Sequence, residues 1–139
     1  MYPWVTIARL EVGQAEIPGP RHNPRILEYH RSTRLEASAD EVPWCAAFVG
    51  WCLERARLPS TRSALAMSYA CYGVPCEPRP GAIAVWDRGG GRGHVEIVER
   101  VDGDTEHRIG GNVRNQVAET SGPLGEADHY RFPILEAPP

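Results

Sequence analysis

The sequence contains no lysine, so all fifteen of its basic residues are arginine. Mechanisms that need a Schiff-base lysine or the lysine of a phosphate-binding P-loop are therefore excluded. No run of basic residues occurs and the formal net charge is −3, which argues against nucleic acid as a partner. No apolar stretch reaches the roughly 20 residues that a membrane-spanning helix needs, so we expect no membrane insertion.

Cysteine is scarce, and its spacing matches no metal site. The four cysteines form no Cys-x-x-Cys pair, and the histidines and acidic residues match no ligand spacing, so we expect neither a metal nor a cofactor. Cys71 and Cys76 flank a glycine and a proline. They stay reduced, or they close a small loop in an oxidising compartment, and the spacing leaves both open.

The 139 residues fit one domain, which we assign to residues 1–139 with a core from about residue 4 to residue 134. The fourteen glycines and thirteen prolines are scattered between apolar segments and predict a loop-rich globular fold. The N-terminus lacks the basic and apolar regions of a signal peptide, so we expect synthesis in the cytoplasm without one. We expect a monomer.

Helical patterns occupy the first half of the chain and strand patterns the second. Helices are predicted over residues 3–11, from Asn23-Pro24, from Asp40–Pro43 to about Arg57, and over residues 63–72. Strands are predicted over residues 82–86, 94–99, 107–110, 116–119 and 130–134, with a turn over residues 87–93. This order predicts an α+β fold, with N-terminal helices packed on one face of a small antiparallel sheet.

Cys45 is predicted two or three residues inside the N-terminus of the central helix. Backbone N–H groups at that end stabilise a thiolate and can form an oxyanion hole, so Cys45 is a candidate nucleophile. The alternative is a small buried apolar residue, the usual role of a free cysteine. Cys52, two turns along the same helix, is assigned to the core.

His94 begins a strand after a glycine turn, where an imidazole can serve a cysteine nucleophile as general base. The alternative is an ordinary surface histidine at a strand end. Glu96 shares its face and is expected at the rim, near substrate. Asn112 follows two glycines and could accept the other ring N–H of His94, although a turn asparagine is the alternative and Asn115 a substitute.

Four segments resemble one family when they are taken together and in order. They are residues 40–52, which contain Trp-Cys-Ala-Ala-Phe-Val, residues 80–86, Gly93-His94-Val95 and Gly110-Gly111-Asn112. They are similar to the corresponding segments of CHAP-like and NlpC-type cysteine peptidoglycan hydrolases, found in phages and bacteria. The resemblance covers residues 4–134.

The resemblance implies a papain-like core with the nucleophile at the start of the central helix. It implies Cys45 as nucleophile, His94 as base and Asn112 as the residue that orients His94, while we expect Trp86 and Glu96 to contact substrate. The chain departs from the family pattern at three positions, since it has Ala46 after the cysteine, Glu96 two residues after the histidine and Val113 after the asparagine.

The implied function is hydrolysis of a peptidoglycan amide, either the muramoyl–L-alanine bond or a bond of the stem peptide. Two alternatives stay open, namely a catalytically inactive wall-binding relative and a cysteine hydrolase or deamidase toxin that acts on another amide. The enzyme is expected to act at the bacterial cell wall as a phage endolysin released by a holin-type pore, or as an injected antibacterial effector with a cognate immunity protein. Because the net charge is negative, Arg88, Arg92 and Arg114 are expected to supply local attraction to the wall.

Overall fold

Two short helices open the fold as the sequence predicts. In the computed structural model, which describes residues 1–19, 21–35 and 43–135, α1 is Pro3–Glu11 and α2 is Pro24–His30. Each helix begins with a proline, whose missing N–H costs nothing in the first turn. The Asn23 side chain caps α2 by accepting a hydrogen bond from the Arg25 N–H at 2.8 Å.

The central helix α3 is Cys45–Arg55, and its start differs from the prediction. Pro43 and Trp44 precede the helix, and the acidic residues predicted to open it, Asp40 and Glu41, lie outside the described residues. Cys45 is therefore the first helical residue, not the second or third. Trp44 itself has a non-helical backbone conformation, and its buried ring donates from Nε1 to Glu16 at 3.0 Å.

The predicted helix over residues 63–72 is shorter than expected and is a 3₁₀ helix over Ala66–Cys71. The reason lies in the preceding turn. The Thr61 hydroxyl accepts from the Ser63 N–H, and the Ser63 hydroxyl accepts from the Leu65 N–H, so side chains satisfy donors that a longer helix would use.

A six-stranded antiparallel sheet forms the second half of the fold. Its strands are β1 (Val74–Pro75), β2 (Ile83–Gly89), β3 (Arg92–Asp102), β4 (Thr105–Val113), β5 (Gln116–Pro123) and β6 (His129–Phe132). The order across the sheet is β1-β6-β2-β3-β4-β5. All five predicted strands are present, while β1 was missed because two residues carry no pattern. Most of the predicted 87–93 turn, and Gly110–Asn112, belong to strands.

The core lies between α3 and the sheet. Helix α3 packs against β3 and β4, with α1 and α2 beside it. Its residues from Ala46 to Leu53 are all buried, including the core residue Cys52. Val95 and Ile97 of β3 join this core, whereas His94 and Glu96 alternate with them along the strand. The predicted α+β arrangement is confirmed, and none of the described helices is long and apolar enough to cross a membrane.

Candidate active site

Cys45 and His94 meet where the start of α3 approaches the sheet. Cys45, partly buried, is the first residue of α3, and His94 is the third residue of β3. The two side chains lie close enough for Cys45 to help raise the pKa of the His94 ring. The β2–β3 hairpin sets His94 directly opposite Trp86, with the two ring centroids 5.7 Å apart. The candidate nucleophile of α3 and the candidate base of β3 are thus brought together.

The surroundings of His94 favour its protonated form. Burial of the ring acts to lower the pKa of His94, but the hydrogen bonds to Cys45 and Glu96 and the charges of these two groups outweigh it. Together they raise the pKa of His94 from its ordinary value near 6.5 to about 9. The ring therefore carries a proton at neutral pH.

Glu96, expected at the rim near substrate, is instead buried beside His94. Its Oε2 lies 2.6 Å from the His94 Nε2, and the residue is 4% exposed. Its other oxygen, Oε1, accepts a hydrogen bond from the Thr120 hydroxyl and lies 3.4 Å from Nε of Arg108. The carboxylate is thus held on both sides, and it orients the ring that contacts Cys45.

Gly110 of the neighbouring strand leaves the space that Glu96 occupies. A Cβ atom built on Gly110 would lie 2.7 Å from the Glu96 carboxyl carbon, closer than any stable contact. The next residue, Gly111, allows β4 to approach α3, since a Cβ there would lie 2.6 Å from Cβ of Phe48. The two glycines therefore serve close packing on opposite sides of β4.

A buried ion-pair network continues behind Glu96. Arg108 is 4% exposed and binds Glu106 at 3.0 Å and Glu126 at 2.8 Å, and its guanidinium carbon lies 4.8 Å from the centre of the Trp86 ring. Glu106, fully buried, also accepts hydrogen bonds from the Tyr130 hydroxyl and the Gly125 N–H. This network restrains the strand face that carries Glu96.

Asn112 shares a cavity with His94, but the structure does not join them. Among the described residues, no hydrogen bond links the two side chains, and the Nε2 atom of His94 is hydrogen-bonded to Glu96. Asn112 lies near the end of β4 with φ +56°, beside a break in the β4–β5 register. That backbone conformation turns the end of the strand, and Glu96 takes the position beside the ring that was expected for Asn112.

Two cavities flank the Cys45–His94 pair. The first, of about 390 Å³, is lined by Trp86, Arg88, His94, Glu96, Arg108, Asn112, Val113, Arg114, Thr120 and Glu126. The second, of about 470 Å³, is lined by Pro43, Cys45, Ala64, Leu65, Ala66, Arg88, Gly91, Arg92 and Gly93. Trp86, which is expected to contact substrate, lines the first cavity. Of the three arginines expected near the site, Arg114 lines the first cavity, Arg92 the second and Arg88 both.

Within the described ranges, no group of three or more histidine, cysteine or acidic side chains is placed to hold a metal ion. Cys71 is exposed and Cys76 partly buried, and both are free thiols.

Sequence reasoning missed Arg108, Glu106 and Thr120. Arg108 lies within a predicted strand, whereas Glu106 and Thr120 lie in β4 and β5 just outside the predicted ranges. Only the register between strands brings Arg108 and Thr120 to Glu96.

Comparison with known proteins gives one finding. A family model described as the CHAP domain matches residues 37–112, more than half of the 139-residue chain, and this range contains Cys45, His94, Glu96 and Asn112. No curated protein matches the chain, and no solved structure does.

Proposed function

The chain belongs to the CHAP domain family, and from this premise we propose that it hydrolyses an amide bond of bacterial peptidoglycan. CHAP domains are generally cysteine- and histidine-dependent amidases or peptidases, and a peptidoglycan hydrolase or amidase function fits the family. In our proposal Cys45 is the nucleophile, His94 the general acid and base, and Glu96 the group that orients His94 within a papain-like core.

The observation that carries this proposal is the chain of contacts from Cys45 through His94 to Glu96. A catalytic cysteine reacts as its thiolate, and a neighbouring imidazolium stabilises that form. Here the imidazolium is the His94 ring, which contacts Cys45 on one side and the buried Glu96 carboxylate on the other. A nucleophile, its base and a third group that orients the base are the parts that acyl transfer by cysteine requires.

The reaction proceeds in two stages. The Cys45 thiolate attacks the amide carbonyl carbon, and the N–H groups at the start of α3, that of Cys45 included, stabilise the negative oxygen. His94 then gives its proton to the amide nitrogen, the C–N bond breaks, and a thioester forms on Cys45. Neutral His94 next takes a proton from water, the resulting hydroxide attacks the thioester, and Cys45 leaves as a thiolate beside a protonated His94.

The biological setting follows from the substrate. The enzyme acts at the cell wall as a monomer, either as an endolysin released through a pore protein or as an effector injected into a competitor. In the second case the producing cell needs an immunity protein. The cleaved bond is the muramoyl–L-alanine amide or a bond of the stem peptide.

Digestion of purified peptidoglycan tests the function. We expect the protein to release soluble muropeptides, and Cys45→Ala to abolish this release while its far-ultraviolet circular dichroism stays unchanged. The matched control is Cys52→Ala, which removes a buried thiol of the same helix away from His94 and should retain activity if it folds. Full activity of Cys45→Ala would exclude the mechanism.

Mass spectrometry of the released muropeptides identifies the bond. Fragments that have lost the whole peptide from muramic acid indicate an amidase, whereas fragments cut within the peptide indicate an endopeptidase. Intact peptidoglycan after incubation with the wild type would contradict the proposed function itself.

A further inference from the structure

We propose that the cavity beside His94 is a carboxylate-binding subsite, in which Arg88 and Arg114 hold an acidic group on the peptide that leaves as the amine. The proposal rests on the function proposed above and adds to it the chemical class of substrate. Peptidoglycan stem peptides with free carboxylates would be preferred over the same peptides with these groups neutralised.

The positive charges that line this cavity are not equally available. Arg108 is buried and already bound by Glu106 and Glu126. Arg88 and Arg114 are exposed, and in the part of the chain that the structure describes neither forms an ion pair. Two guanidinium groups can therefore meet an incoming carboxylate without breaking an existing pair, and guanidinium groups bind carboxylates in a bidentate geometry.

The local charge has the opposite sign to that of the whole protein. The cavity is lined by three arginines and His94, against the two carboxylates of Glu96 and Glu126, both of which already have cationic partners. The chain as a whole has a formal net charge of −3. A locally cationic cavity on an acidic protein favours anions at this place, whereas long-range attraction cannot account for a preference for acidic walls.

The position of His94 indicates which part of the substrate enters this cavity. His94 lines the first cavity but not the second, while Cys45 lines the second but not the first. In the proposed reaction the acyl carbon bonds to Cys45 and the leaving nitrogen takes its proton from His94. The leaving peptide therefore lies on the side of the arginine-lined cavity, and the acyl part lies beside Pro43, Ala64 and Leu65.

Binding of walls with and without free carboxylates tests the subsite without relying on turnover. Purified peptidoglycan is treated with a carbodiimide and ammonium chloride, which converts its carboxylates to neutral carboxamides, and a mock-treated sample is the reference. The Cys45→Ala protein is sedimented with each wall, and the depletion of the supernatant is measured. We expect at least fivefold weaker binding to the amidated wall. Repulsion between the acidic protein and the wall predicts the opposite sign, and equal or stronger binding to the amidated wall would overturn the proposal.

Arginine variants locate the effect. In the Cys45→Ala background, we expect Arg88→Gln with Arg114→Gln to lose the preference for the untreated wall, because the cavity then lacks its available cations. Arg92→Gln is the matched control, since Arg92 is also exposed but lines only the second cavity, and it should keep the preference for the untreated wall. If Arg92→Gln removed the preference as fully as the double variant, the assignment to this cavity would be wrong.

The hydrolytic protein separates this proposal from the one on which it rests. If the wild type digests both walls at the same rate, the hydrolase function stands and the carboxylate subsite fails. If Cys45→Ala prefers the untreated wall but the wild type digests neither wall, the subsite stands and the proposed function fails.

Discussion

The Nε2 atom of His94 lies 2.6 Å from Oε2 of Glu96, two residues farther along the same strand. Side chains two residues apart on a strand share a face, so β3 supplies both the ring and the carboxylate that holds it. Cys45 contacts the ring from α3. The group beside the His94 ring is therefore Glu96, on the same strand, and not Asn112 at the end of β4.

Replacement of Glu96 tests whether this carboxylate orients His94. We expect Glu96→Gln to lower kcat by roughly 100-fold, because the neutral amide neither fixes the ring nor stabilises its positive charge. Asn112→Ala should lower kcat by less than about tenfold, since it leaves the His94–Glu96 pair intact. Initial rates of wall digestion measure both, with thermal unfolding as the control for folding. A greater loss in Asn112→Ala than in Glu96→Gln would restore asparagine as the orienting residue.

The alternation of residues along β3 could have identified Glu96 from the sequence. The sequence predicts His94 and Glu96 on one strand face, but it predicts Glu96 at the rim near substrate and not buried against the ring. The reason for the error is that burial of this face depends on β4 and β5. Thr120 and Arg108 come from these two strands, and the β3–β4 and β4–β5 registers each contain a shift that local patterns do not reveal.

The start of the central helix shows a similar limit. The apolar run after Cys45 predicted a buried central helix, and this is confirmed, because helical burial follows from local periodicity. Its first residue was misplaced, since proline and acidic residues are equally compatible with a first turn or with the segment before it. Trp44, whose ring is bonded to the distant Glu16, is non-helical, and local patterns do not reveal such a tertiary contact.

Substitution of Gly110 tests whether space on β4 keeps Glu96 in place. We expect Gly110→Ala to reduce activity at least tenfold, because its Cβ would lie 2.7 Å from the Glu96 carboxyl carbon and displace it. The control is a double-mutant cycle with Glu96→Ala, which vacates that space. If Gly110 acts through Glu96, Gly110→Ala should lower the activity little further in the Glu96→Ala background. Equal losses in both backgrounds would show that Gly110 acts independently of Glu96.

The pH dependence of the reaction tests the charge on His94. The leaving amine needs the ring proton, and the pKa of His94 is raised to about 9, so kcat/KM should fall tenfold for each pH unit above about 9. Glu96 contributes to raising this pKa through a hydrogen bond and its charge, and its replacement must therefore lower the pKa. In Glu96→Gln the decline should begin at a lower pH, whereas in Asn112→Ala it should not move. An alkaline limb that stays in place in Glu96→Gln would contradict the role of this carboxylate.

Removal of the Arg108 charge tests how much the buried network contributes to folding. Arg108 is 4% exposed and pairs with the fully buried Glu106 at 3.0 Å, so Arg108→Met would leave a buried carboxylate without its cation. We expect the free energy of unfolding to fall by about 3 kcal/mol or more, as for other broken buried pairs. The matched control is Arg100→Met, whose pair with Asp102 has side chains 54% and 62% exposed and should contribute less than about 1 kcal/mol. Urea titrations followed by tryptophan fluorescence measure both variants. Similar losses for the two would mean that Tyr130 and Gly125, which also bind Glu106, are enough to hold its charge.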